Sequence, residues 1–410
     1  MPHAKHSADH RSGKGRCPSF SRSIPIQPPS GARWTCVNRP FSRAFRFRHG
    51  LPDRWSGLWV AVVLVALLPA AAAGESAEWT LRLLLKGQTV EGTPLKFDER
   101  EVLLLGRDGQ LHQFAPSQAQ HFSKVSDYFT PYSSGEIRRL LLAELGNGYR
   151  VTGASRYMVA HPAGQRDLWA QRFDALYRSF IQYFTARGFT PQPPRFPLIA
   201  VCFANQREFM EYAADHGYRA GAGLLGFYAP ADNRIYLFDT TRGQPTADWG
   251  MNAETIIHEA THQMAFNTGI HQRQAETPVW VAEGLATLFE APGVWNASQH
   301  RDPLDRVNRY RHEAFTRHSE RRPHSYLRTL VSSDSPFSNP DQAYAQAWGV
   351  TFYLTETRPR DYLRYLAKTM EVQPGGQYTA KERERDFVSV FGDDWTKLEA
   401  EIQRYLARLR

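Results

Sequence analysis

From Trp79 to about Val125, apolar and polar residues alternate in short runs: WTLRLLLKG, TVEGTPLKFDE and REVLLLGRDGQLHQFAP. Alternation with a period of two buries one face of a strand, and Gly87, Gly92 and an Arg107-Asp108-Gly109 turn punctuate these runs. The pattern predicts a small β-barrel-like module over residues 74–130. The same text also suits an N-terminal sheet of the main domain.

Further along the period changes. SSGEIRRLLLAELGNG reads as a short helix closing on glycine, and YRVTGASRYMVAHP as a strand pair. RDLWAQRFDALYRSFIQYFTARG carries apolar residues at helical spacing and ends at Gly188. RFPLIAVCFA predicts a buried strand, QREFMEYAADHG a helix, and AGLLGFYAPADNRIYLFDT a hairpin turning at Ala231-Asp232-Asn233. Past residue 300 the chain reads as amphipathic helix, over 341–355, 359–370 and 393–408. Strands followed by helices predict an α+β domain over residues 131–410.

One helical run does not fit a plain amphipathic pattern. TIIHEATHQMAF, residues 255–266, sets two histidines and a glutamate among apolar neighbours. Asn252 is placed to cap this helix, and Gly269 follows its end at the left-handed position. His258 and His262 are one turn apart, so both rings project from one face at a distance a single metal ion bridges. Glu259 stands beside them, within reach of a metal-bound water without being a ligand. Ile256, Ile257, Ala260 and Met264 occupy the other faces.

The next run, TPVWVAEGLATLFEAPG over 277–293, predicts a second helix with Thr277 as its cap and Pro278 in its first position. It presents Glu283 after 20 intervening residues from His262. Two histidines, one carboxylate and an open fourth position make a catalytic zinc site, whereas a structural site closes all four. A three-histidine variant of the motif needs Gly at position 265 and His at 268, where Ala265 and Thr268 stand. Glu276 precedes the helix and Glu290 lies two turns beyond Glu283, which leaves Glu283 the best-placed third ligand.

HEATH followed by WVAEGLA resembles the gluzincin clan of zinc metallopeptidases. More narrowly, residues 147–370 are similar to exported bacterial peptidase-MA-like proteins classed as a domain of unknown function. The resemblance implies a zincin-like fold, His258, His262 and Glu283 as ligands of one Zn2+ per chain, and Glu259 as general base. It also implies a Tyr or His where the oxyanion develops, for which Tyr344 in AYAQAW is the first candidate and His271 the second. In related folds an edge strand above the zinc helix pairs with extended peptide, a part open to the strand around Leu224–Tyr228.

Charge narrows the partners. The chain carries 50 Lys and Arg against 41 Asp and Glu, but residues 1–73 hold 11 of the basic and 2 of the acidic residues. The remainder is balanced at 39 of each, so nothing favours nucleic acid as a partner. The basic, His-rich run 300–324 reads as a solvated helix and loop.

The leader has its own order. Residues 1–50 are rich in Arg, Ser and Pro and read as an upstream extension. Behind them come Arg48 and Arg54, an uncharged apolar core from Leu58 to Leu68, and Ala71-Ala72-Ala73. That is the order of an export signal cleaved near Ala73, with a membrane contact only if it stays uncleaved. An organellar transit peptide shares the Arg-rich, acid-poor character. Of three cysteines only Cys202 lies beyond the leader, in the apolar LIAVCFA, as a buried free thiol. These features together predict an exported, periplasmic or extracellular zinc metallopeptidase acting on a peptide or protein substrate. The competing class is a non-catalytic envelope binding or scaffold protein that retains the zinc site.

Overall fold

The computed structural model describes residues 78–164, 169–218, 221, 223–240, 250–319 and 325–409, without the side chains of 250–252. The export leader read over 1–73 lies outside them. No helix among the described residues is long and apolar enough to cross a membrane.

Among the described residues ten strands form two sheets. β1 (Thr80–Leu85), β2 (Gln88–Phe97), β3 (Val102–Gly106), β4 (Leu111–Phe114) and β5 (Ala119–Ser126) make an antiparallel sheet in the order β4-β3-β2-β1-β5. The barrel expected here is corrected to an open sheet, because no ladder joins β4 to β5 among the described residues. β4 is only four residues long and runs into Ala115-Pro116, where proline lacks the N–H that would extend pairing. Leu81, Leu83, Val102, Leu104 and Phe114 fill one face of this sheet.

After α1 (Ser134–Leu145), the second sheet comprises β6 (Tyr149–Ala154), β7 (Tyr157–Pro162), β8 (Leu198–Phe203), β9 (Gly226–Ala229) and β10 (Arg234–Phe238). Its order is β6-β7-β8-β10-β9; β7, β8 and β10 run parallel, with antiparallel β6 and β9 at the edges. Between the strands come α2 (Trp169–Thr185) and α3 (Gln206–Asp215). The LIAVCF strand is buried on both faces, as its unbroken apolar run requires. Leu198, Ala200 and Cys202 pack with α2 and the helix that follows β10, whereas Ile199, Val201 and Phe203 pack with α1 and α3. Cys202 is a buried free thiol.

The helical part begins with α4 (Gly250–Asn267) and α5 (Val279–Phe289), then the short α6 (Pro292–Trp295) and α7 (Arg309–Ser319). It continues through α8 (Tyr326–Ser332), α9 (Pro340–Thr357), α10 (Pro359–Thr369), α11 (Ala380–Phe391) and α12 (Trp395–Leu406). α4 starts two residues ahead of Asn252, which therefore lies inside the helix rather than at its cap. Gly269, at φ 80°, ends it. α5 starts one residue later than expected, with Pro278 at the cap position and no side-chain cap of its own. Its free Val279 N–H donates instead to Asp334 Oδ1 at 3.1 Å, a cap supplied from 55 residues away.

Two contacts aim these parts at the histidines of α4. Gln263 Nε2 donates to the carbonyls of Ile199 and Asn233, both at 2.9 Å, which fastens α4 across β8 and β10. Arg273, in the loop after α4, donates to Gly109 O at 2.6 Å and Pro230 O at 3.1 Å. It thereby joins the β3–β4 turn of the first sheet to the β9–β10 turn of the second.

Candidate metal centre

α4 places His258 and His262 on one face, and α5 packs alongside so that Glu283 meets them. The two Nε2 atoms are 3.2 Å apart, and Glu283 Oε2 lies 3.2 Å from His258 Nε2 and 3.5 Å from His262 Nε2. All three side chains are enclosed. A tetrahedral ion with bonds of about 2.0–2.1 Å separates neighbouring ligand atoms by about 3.3–3.4 Å. The observed edges of 3.2, 3.2 and 3.5 Å lie on either side of that value, so these residues fit a single metal ion with a fourth corner left over. Two nitrogen lone pairs and a carboxylate oxygen at such spacing repel unless a cation, a proton or a metal, stands among them. His258, His262 and Glu283 form a group that could hold a metal ion.

Without a metal, a proton takes that role. His258 is pushed up to about 10: burial opposes the charged ring, but hydrogen bonds to Glu283 and Glu290 and the charge of Glu259 override it. Burial pushes Glu283 upward, yet His262 and His258 hold it well below the usual carboxylate range.

Glu259 faces β9. Its Oε2 accepts the backbone N–H of Tyr228 at 2.6 Å, and burial raises its pKa against the pull of both histidines and that N–H. Tyr228 is also pinned through its hydroxyl, which donates to Asn233 Oδ1 at 2.9 Å. β9 is an edge strand of the second sheet among the described residues, and its four residues are buried.

Of the other sequence candidates, Tyr344 on α9 lies beside the centre. Its ring stacks on the His258 imidazole with centroids 6.4 Å apart and meets Phe337 edge-on. His271 is the second oxyanion candidate. It is buried, and its Nδ1 faces Ile270 O at 3.0 Å, so that nitrogen carries the proton and Nε2 keeps a lone pair. Burial, then His262, lower its pKa to about 3, which favours the neutral ring. Glu276 is not near the ligands; it accepts from Tyr378 N–H at 3.0 Å and pairs with Arg383.

Spacing alone did not reveal the residues behind His258. Glu290 Oε1 accepts from His258 Nδ1 at 2.8 Å, and Glu290 Oε2 accepts from Asn308 Nδ2 at 2.6 Å. Arg311 stands 3.8 Å away. Burial pushes Glu290 up, but Arg311, His258 and Asn308 hold it below its ordinary value. The available signal was position: Glu290 follows Glu283 by seven residues, two turns on the same face.

Residues 252–375, less than half the chain, match the model of a family described as a protein of unknown function (DUF1570). No curated protein matches. Among solved structures, the chain is similar to an M1 zinc metallopeptidase mutant from Deinococcus radiodurans bound to a Tyr-Ser-Ala substrate, at 14% identity and a TM-score of 0.34. That match covers 62% of this chain and 51% of the other. A second structure of the same mutant matches at 13% identity and a TM-score of 0.35, over 61% of this chain and 49% of that one. The chain thus spans about half the length of these metallopeptidases.

Proposed function

We propose that this chain is a zinc-dependent metallopeptidase of gluzincin type, with His258, His262 and Glu283 as metal ligands. The observation that carries the reading is the enclosed ligand triangle with Glu259 next to it in sequence and anchored to β9. A zinc ion so held supplies a Lewis-acidic centre that lowers the pKa of a bound water towards about 7 and polarises a carbonyl.

The chain's own groups do the rest. Glu259, whose pKa burial raises and whose ionised form is thereby the stronger base, takes a proton from the attacking water as a carboxylate and returns it to the leaving amine. The Tyr228 N–H fixes one oxygen of that carboxylate, so the other is aimed. Tyr344, stacked beside His258, is assigned as the donor to the developing oxyanion. The edge strand β9 supplies backbone groups, other than the Tyr228 N–H that Glu259 already takes, to align an extended peptide by strand addition. Export of the enzyme rests on the Leu58–Leu68 signal pattern.

The test uses the purified chain. Metal analysis is expected to give about one zinc per chain, with chelator-sensitive cleavage of unfolded casein. Glu259→Gln is expected to keep the metal and lose turnover. Zinc retained with no cleavage of casein or a peptide library would instead favour a scaffold that keeps its metal site.

A further inference from the structure

The basic run 300–324, expected to be solvated, contains a cation that is not. Arg311 on α7 has a side chain only 4% exposed. Its guanidinium carbon lies 5.1 Å from the centre of the Tyr344 ring, which also stacks on the His258 imidazole. The nearby carboxylate, Glu290, pairs with it by charge but accepts no hydrogen bond from it. Glu290 Oε1 takes the His258 proton and Oε2 takes the Asn308 amide, leaving Arg311 Nε at 3.8 Å, beyond hydrogen-bond distance. Nε meets no acceptor, and neither Nη forms a hydrogen bond among the described residues.

A guanidinium offers five donors in a planar fork that matches a carboxylate. Of that fork only Nε is enclosed without an acceptor, at a cost of about 1–3 kcal/mol; the two Nη atoms are not enclosed and make no hydrogen bond among the described residues, so a partner that arrives from outside can reach them. We infer that Arg311 binds a substrate carboxylate. The inference rests on the peptidase reading and supplies its substrate class: peptides carrying either a free C-terminus or an acidic side chain near the cleaved bond. Extended peptide advances about 3.4 Å per residue. The ring-to-ring and ring-to-cation separations therefore place the carboxylate within about three residues of the bond held at His258.

The probe is a fluorescein-labelled Leu-Ala-Phe-Ala-Leu in three forms: free acid, C-terminal amide, and amide with the final Leu replaced by Glu. Binding is read by anisotropy on the metal-free full chain, so that no turnover intervenes. The wild type is expected to bind at least one carboxylate form about tenfold tighter than the plain amide. Preference for the free acid assigns a C-terminal carboxylate, and preference for the Glu form an acidic side chain. Arg311→Met is expected to bring the ratio to about one, and Arg311→Lys, which keeps charge without the fork, to an intermediate value.

Equal binding of all three peptides by wild type overturns the inference whatever the variants do. So does an undiminished ratio in Arg311→Met with an unchanged circular dichroism spectrum. Zinc bound and casein cleaved without carboxylate preference removes this inference alone. Carboxylate preference without zinc keeps the binding site and removes the hydrolase.

Discussion

His258 Nδ1 donates to Glu290 Oε1 at 2.8 Å, and that single bond decides which nitrogen of His258 is available to a metal. A carboxylate held in its ionised form only accepts, so Nδ1 carries a proton whether the ring is charged or neutral, and Nε2, the nitrogen facing Glu283 and His262, is the one left for a metal. Partners of this kind typically account for about 10–100-fold in metal affinity. Glu290→Gln, which keeps an acceptor but loses the charge, is expected at the low end of that range and Glu290→Ala at the high end. Competition with a chromophoric chelator measures both; affinities equal to wild type would remove Glu290 from the metal centre.

The metal-free centre stores a proton, and its sign is readable. His258 has a folded pKa of about 10 against an ordinary value of 6.5. Its contribution to the stability of the metal-free protein is therefore complete below about pH 6.5 and is lost as pH rises through about 10. Metal loading acts in the opposite direction, because the ligand must be deprotonated. Titration of metal into the chain at pH 7, in buffers of differing ionisation enthalpy, is expected to show release of about one proton per ion. Zero release would mean that His258 is already neutral.

What the sequence disclosed, and what it hid, follows from the range of each interaction. The grouping of His258, His262 and Glu283 was legible because helical periodicity is local and Glu283 stands on the next helical run. The role of Glu290 was ambiguous, since a carboxylate two turns past Glu283 shares its face and spacing cannot separate a ligand from a ligand's partner. Asn308 and Arg311 were hidden in a charge-rich run. Only the docking of α7 against α5 and α9 shows that Arg311 turns inward, towards Glu290 and Tyr344. The cap on α5 was hidden for the same reason, because Asp334 reaches Val279 through tertiary structure.

Acid stability has an identifiable contributor in the second sheet. Arg234, at the start of β10 and almost wholly enclosed, pairs with Glu144 at the end of α1 at 2.8 Å. Burial alone would raise Glu144, but the Arg234 charge and hydrogen bonds from Tyr212 and Arg234 hold it below its ordinary 4.5. A depressed folded pKa contributes stability above the unfolded value and loses it as pH falls through the folded one. Glu144→Gln is expected to cost on the order of 1–3 kcal/mol at pH 7 and to flatten the decline below pH 4.5. Urea midpoints across that range check both.

Gly284 sits directly after Glu283, where α5 and α9 cross. A Cβ there would meet Thr351 Oγ1 and, at 2.7 Å, the backbone carbonyl of Ala347. A side chain can be trimmed, but a helix backbone cannot move without carrying Tyr344, one turn earlier on α9. Gly284→Ala is therefore expected to destabilise the fold by about 1–3 kcal/mol. It is also expected to weaken metal binding, because Glu283 is displaced with its neighbour. Adding Thr351→Ala removes the hydroxyl contact and leaves the Ala347 carbonyl, so only partial recovery of melting temperature and metal affinity is expected. Full recovery would show that the hydroxyl alone limits the approach; no effect of Gly284→Ala would show that the two helices hold Glu283 less tightly than their separation implies.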